Sequence, residues 1–208
     1  MVRFFQEGGF FMYPIAVILV IGLAIALERW FYLSTTKRSN RAAFDQGILP
    51  ILRKHDYKSA LKFSNESQTA IAAIMGAGLS RLVNGSRRDE VEFAMEEGLM
   101  ETLPRLEKRT PYLATLANVS TLLGLLGTII GLIAAFTAVA HADPSEKASL
   151  LSQSISVAMN TTAFGLMSAI PLLLFHAVLQ TKTNEIVDSF EMAGVKLLNL
   201  ISNQASND

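Results

Sequence analysis

The sequence predicts an all-α integral membrane protein with three transmembrane helices. Three observations carry this. Three long runs lack Asp, Glu, Lys and Arg. Charged residues are 17% of the chain against 50% hydrophobic, where a soluble domain carries about a quarter charged. The stretches between the runs repeat their apolar residues every three or four positions, and no strand-like alternation of any length interrupts them.

A helix needs roughly 20 apolar residues to cross a bilayer. The first span is read at 10–27, FFMYPIAVILVIGLAIAL, after an N-terminal segment 1–9. Pro14 sits near its start, where a helix tolerates it. The span ends at Glu28-Arg29-Trp30, a charged pair followed by an interfacial aromatic. Its apolar stretch is longer than a signal-peptide core, and no small-x-small cleavage site precedes the charges. It is therefore expected to remain as an anchor. The second span is read at 113–140. A link with an interfacial start, 141–156, leads to the third span at 157–179, and the tail runs over 180–208.

Segment 28–112 reads as helical. Ile48–Phe63 is an amphipathic unit with Asp56 and Ser59 on a wet face. Thr69–Val83 is rich in small residues. Arg87–Leu106 places Glu92, Glu96, Glu97 and Glu101 at helical spacing. Pro104 and Pro111 are candidates to kink or break the run into the second span. In the tail, Ile186, Val187, Phe190, Ala193, Leu197 and Leu200 extend the third helix with one apolar face.

Lysine and arginine placement orients the chain. Arg3 alone precedes the first span, and Lys147 is the one such residue of the link between the second and third. Segment 28–112 holds most of the basic residues. That segment and the C-terminal tail are expected in the cytoplasm, with the N-terminus and the link on the periplasmic side.

Composition closes off several functions. The 18 Lys and Arg residues balance 18 Asp and Glu, so net charge makes no case for nucleic acid. With no cysteine there is no disulfide, thiol chemistry or cysteine metal site. His55, His141 and His176 lie too far apart for metal-ligand spacing, and no metal or cofactor is expected. No Walker loop, Rossmann fingerprint or Ser-His-Asp pattern is present, so an enzyme reading has no supporting residues. GLLGTIIG, Gly124 to Gly131, lacks the Lys-Ser/Thr of a phosphate loop and sits in a membrane run.

The later spans differ in kind from the first. The second contains Asn118, Ser120, Thr121, Thr128 and Thr137 beside Gly124, Gly127 and Gly131. Its small residues form a ridge along which helix backbones can approach, and packing is the plain reading of the glycines. In the third, Ala158, Thr162, Gly165 and Ala169 share a narrow face, flanked by Thr161, with Asn160 and Pro171 nearby. Each threonine alone is equally explained by a bond to its own backbone. Together, two polar stripes form a candidate ion path through Thr128, Thr162, Thr161, Thr121 and Asn160. No acidic or basic residue lies within any span. Coupled proton transfer uses an intramembrane carboxylate or histidine, and His176 stands near a span end. A proton path here needs its titrating group from another chain.

Three motifs, in order, resemble the MotA/TolQ/ExbB proton-channel family, closest to its ExbB/TolQ branch: GGFFMYPI with ERWFYL, LLGLLGTIIGLIAAF (Leu122 to Phe136), and AMNTTAFGLMSAIP (Ala158 to Pro171). The resemblance covers nearly the whole chain. It implies a pentamer around a dimer of an ExbD/TolR-like single-span partner, whose membrane aspartate carries the ion. Ion flow would drive work on a TonB-like or TolA-like protein, for TonB-dependent import or Tol-type envelope work. By motif position Thr128 and Thr162 match the threonines lining the pore, while Gly124, Gly127, Gly131, Gly165 and Pro171 shape the helix packing.

The sequence departs from the family at two places. Thr121 stands where many relatives have proline, and Val157 where ExbB and TolQ proteins commonly carry a glutamate. Thr161 beside Thr162 resembles sodium-driven stators. The ion expected is the proton, with sodium, or a flagellar-type stator, as the alternative. A structural scaffold without conduction is the alternative of another class.

Overall fold

The structure, a computed structural model, describes residues 9–205. Among the described residues seven α-helices and one π-helical turn follow in order: α1 Met12–Ala42, the turn Ala43–Ile48, α2 Leu49–Leu52, α3 Tyr57–Glu66, α4 Ala70–Val83, α5 Arg88–Glu107, α6 Thr110–His141 and α7 Lys147–Ala205. Among the described residues there is no strand. Arg3, with all of the expected N-terminal segment except Gly9, lies outside the described residues, as do positions 206–208.

The chain divides into two compact units. The first comprises the chain up to Arg29 together with Arg109–Leu179, and the second Trp30–Lys108 with the chain from Gln180 onward. Three helical stretches, one from each of α1, α6 and α7, are long and apolar enough to cross a membrane. Only 17% to 28% of their most apolar windows is buried within the chain. Apolar surface left open on this scale marks a membrane or partner face.

In the first unit three helical segments pack through small residues. Gly22 of α1 lies under the Leu172 side chain of α7, where a Cβ would come within 2.5 Å of a methyl. Met12, Ile15, Ala26, Leu113, Ala117 and Leu172 are buried. An ion pair, Arg109 to Glu28 at 2.9 Å, joins the start of α6 to α1. The chain breaks between α5 and α6 at Lys108 and Arg109, and Arg109 adopts a left-handed conformation with φ of 66°. Pro111 accounts for the place: it stands in the first turn of α6, where its missing N–H costs nothing, and in a continuous helix its ring would clash with the carbonyl four residues back, at Glu107. Pro104, by contrast, sits within α5.

In the second unit α4 is the central helix. Its Ile71, Ala72, Ile74, Met75, Gly78 and Leu79 are buried, and it packs along both α3 and α5. Asn40 of α1 accepts the Ile71 N–H at 2.7 Å and donates to the Thr36 carbonyl at 2.8 Å. A buried amide thus satisfies one of the unpaired N–H groups that every helix start leaves. Lys37 pairs with Glu185 at 2.7 Å, and Lys182 lies 3.3 Å from the centroid of the Trp30 ring while donating to Ser34 at 2.9 Å. The tail buries Ile186, Phe190, Ala193 and Leu197 of the face read from the sequence, leaves Val187 and Leu200 half-buried, and buries Leu198 as well.

The amphipathic unit expected over Ile48–Phe63 is divided. α2 ends at Leu52, His55 takes a left-handed φ of 56°, and α3 starts afresh. Asp56 explains the restart: its carboxylate accepts the Ser59 N–H at 3.0 Å, the capping bond that opens a helix. Hydrogen bonds from Ser59 hold the Asp56 carboxyl below the ordinary carboxylate range.

Candidate ion path between α6 and α7

The contact between α6 and α7 is built from glycines. A Cβ at Gly124 would meet the Cα atoms of Gly165 and Thr162, each at 3.2 Å. A Cβ at Gly165 would meet the Ser120 carbonyl oxygen at 2.8 Å and the Gly124 Cα at 3.0 Å. At Gly131 it would meet the Ala158 methyl at 2.8 Å, and at Gly127 the Thr161 methyl at 2.5 Å. The obstacles at Gly124 and Gly165 are mainly backbone. These helices therefore approach as closely as their main chains allow, which is the packing small residues permit in lipid. Ser120, buried, donates to the Gly165 carbonyl at 3.3 Å.

This approach brings two threonine hydroxyls together. Thr128 Oγ1 and Thr162 Oγ1 are 2.9 Å apart. Thr162 also reaches the Gly124 carbonyl at 2.8 Å, and Thr128 the Leu125 carbonyl at 2.7 Å. Both residues are half-buried. Each hydroxyl has one proton and two acceptor sites. Since one proton serves the contact between them, at any moment one carbonyl bond gives way to it. The pair can therefore exchange donor and acceptor roles and can present a lone pair to a third group. It cannot itself hold a charge.

The other expected path residues have partners of their own or different faces. Thr161 is buried against Gly127, and its hydroxyl donates to the Val157 carbonyl at 3.0 Å. Adjacent positions on a helix diverge by about 100°, so Thr161 and Thr162 serve different surfaces of α7. Thr121 is half-buried, seven residues before Thr128, and donates to the Ala117 carbonyl at 3.2 Å. Asn160, half-buried, lies two residues before Thr162 and so nearly opposite it around α7. Pro171 is half-buried within α7, which runs on through it. Val157 is half-buried, with its Cγ1 3.4 Å from where a Gly9 Cβ would stand. Ser120 is the contact residue that the sequence reading placed only in the ridge. Its hydroxyl sits seven residues from Gly127 and four from Gly124, and that spacing was the available signal.

Among the described residues no group of His, Asp and Glu is placed to hold a metal ion. None of the three spans carries an Asp, Glu, Lys or Arg to partner the Thr128–Thr162 pair, and His176 lies fourteen residues beyond Thr162, near the end of the third span.

Comparison with known proteins gives a consistent result. The family whose pattern matches is the MotA/TolQ/ExbB proton channel family, over residues 66–192, more than half of the chain. A Methanothermobacter thermautotrophicus protein named as an ExbB homolog in biopolymer transport is 29% identical over 189 residues, covering 90% of this chain and 66% of the relative. A Synechocystis protein named as ExbB-like is 30% identical over 178 residues, covering 85% of this chain and 83% of the relative. The Tol-Pal system protein TolQ of Haemophilus influenzae is 34% identical over 97 residues, 47% of this chain and 42% of TolQ. The chain thus spans just under two thirds of the length of the first of these relatives.

Proposed function

We propose a function from one premise: this chain belongs to the MotA/TolQ/ExbB proton channel family, on its ExbB/TolQ branch. It is the pore-forming subunit of an ion-driven energy-transducing complex in the bacterial inner membrane. Segment 28–112 and the tail face the cytoplasm, as the positive-inside rule directs. Five copies surround an ExbD/TolR-like dimer whose membrane aspartate carries the ion. The complex drives a TonB-like or TolA-like protein toward the outer membrane.

The observation that carries this reading is the Thr128–Thr162 hydroxyl contact of 2.9 Å in a span free of charge. Two hydroxyls that trade donor and acceptor roles suit a carboxyl group that arrives protonated and leaves ionised. A protonated carboxyl donates to a hydroxyl, and an ionised one accepts from it. Because this chain contributes no charge, the titrating group stays on the moving partner and the wall does not trap the ion. Moving one charge through 100 mV releases about 2.3 kcal/mol, so repeated transfers supply enough energy for mechanical work. Thr121 lies on the same face of α6 as Thr128 and extends the polar wall. Thr161, turned into the glycine contact, acts in packing. The proton is the ion favoured, because the Thr162 hydroxyl pairs with Thr128 and not with its neighbour Thr161.

Thr128→Val and Thr162→Val remove a hydroxyl at nearly constant volume. Each variant is expected to assemble like the parent and to lose energisation, read as proton flux through the reconstituted complex. Full flux in both would sink the path and favour a scaffold whose threonines only pack helices.

A further inference from the structure

The second unit carries opposite charges on its two outer helices. α4 packs along α3 and along α5, while α3 and α5 share almost no contact. α3 and α5 therefore flank α4 as the two edges of one layer. On α5, Phe93 and Met100 are 68% and 71% exposed. Seven residues apart, they lie on one helix face. Exposed Asp89, Glu96, Glu97 and Glu101 border them. This is an apolar centre with an acidic rim, the anatomy of a protein–protein interface. On the other edge, exposed Lys58 and Lys62 stand one turn apart on α3, with Asn65 next along the same face and half-buried Leu61 beside them. Exposed Arg53 and Lys54 precede them, opposed only by Asp56 and Glu66. Lysine stems lie along apolar surface while their heads stay in water, so this edge can cover a phenylalanine and a methionine and still meet carboxylates.

We propose that the α5 edge of one copy docks on the α3 edge of the next, joining the second units head to tail. The occupant is a second copy because the complementary charge is carried by this same chain, on the opposite edge of the same layer. Two different edges in contact make a heterologous interface, which generates a ring when its rotation closes. Burial of Phe93 and Met100 holds the contact, and the charge pattern fixes its direction and register. This rests on the ring assembly proposed above and names the surface that builds it.

The chain has no cysteine, so introduced pairs report cleanly. Asn65→Cys with Met100→Cys in the full-length chain, in membranes treated with a short bis-maleimide, is expected to give a ladder of cross-linked multimers beyond the dimer. Glu96→Lys with Glu97→Lys added should weaken the ladder several-fold, and Lys58→Glu with Lys62→Glu added as well should restore it. Size measurement of the detergent-extracted complex separates the two claims. A multimer with no ladder, a ladder that stops at the dimer, or a ladder indifferent to charge reversal overturns this docking and leaves the ring. A monomer overturns both. A multimer whose Phe93 and Met100 become protected only when another protein is added would assign the edge to that partner and overturn the proposal.

Discussion

Gly165 has no room for a methyl group. A Cβ there would stand 2.8 Å from a backbone oxygen and 3.0 Å from a backbone carbon of α6, and main-chain atoms cannot rotate away. Gly165→Ala is expected to lose about 1–3 kcal/mol, the usual cost of overpacking, visible as a lower melting temperature in detergent. Gly194 is the control. Its Cβ would meet only the Met95 side chain, the methyl at 3.6 Å and the sulfur at 3.8 Å, ordinary contacts. Gly194→Ala should therefore gain up to about 1 kcal/mol from helix propensity. If both substitutions are neutral, the glycine ridge does not hold α6 and α7 together. The two tests divide glycines of one helix, since both lie within α7.

The helices are held by a few polar ties, one of which carries a shifted carboxyl. In the second unit Lys37 of α1 hydrogen-bonds Glu185 of α7, and that bond holds the Glu185 carboxyl below its ordinary value of 4.5. A carboxyl lowered by folding contributes stability above its unfolded value, and the contribution is lost as pH falls through the folded value. Both side chains are about half exposed, so the effect is small and screened by salt. The parent should be slightly more stable than Glu185→Gln at pH 7, with the gap closing below about pH 4.5. Thermal melts of the two proteins across that range test it, and a gap that persists in acid would assign the difference to packing. At the start of α6, Arg109 combines a left-handed backbone with its bond to Glu28. The break before α6 was legible from Pro111, whereas the ion pair of Arg109 was not, because it depends on α1 packing beside the start of α6.

For the whole molecule, the exposed apolar faces of α1, α6 and α7 fit a membrane, and the proposed function takes its titrating acid from a partner. Purification in mild detergent from cells carrying the native partners should recover a small single-span protein with one membrane aspartate. Energisation retained in the absence of any such protein would remove the case for an acid supplied in trans. The cation is tested at the same scale. With the proton gradient fixed, replacing sodium by potassium should leave flux unchanged, and a loss of most of the flux would assign the work to sodium.

By itself the sequence determined the three spans, the helical class, the family and the absence of charge in the membrane. These follow from properties of single segments: the length of an apolar run, the period of its residues and the place of its charges. It also held both partners of the hydroxyl pair, since Thr128 and Thr162 sit within the second and third motifs. Only the tertiary structure decided which hydroxyls meet. Thr161 and Thr162 are neighbours in the chain, yet one is buried under Gly127 and the other lies 2.9 Å from Thr128. Asn160, two residues before Thr162, is nearly opposite it around α7. The physical reason is rotation about a helix axis. Period and composition leave that angle free, and the backbone contacts at Gly124 and Gly165 fix it by allowing α6 and α7 to close in one orientation.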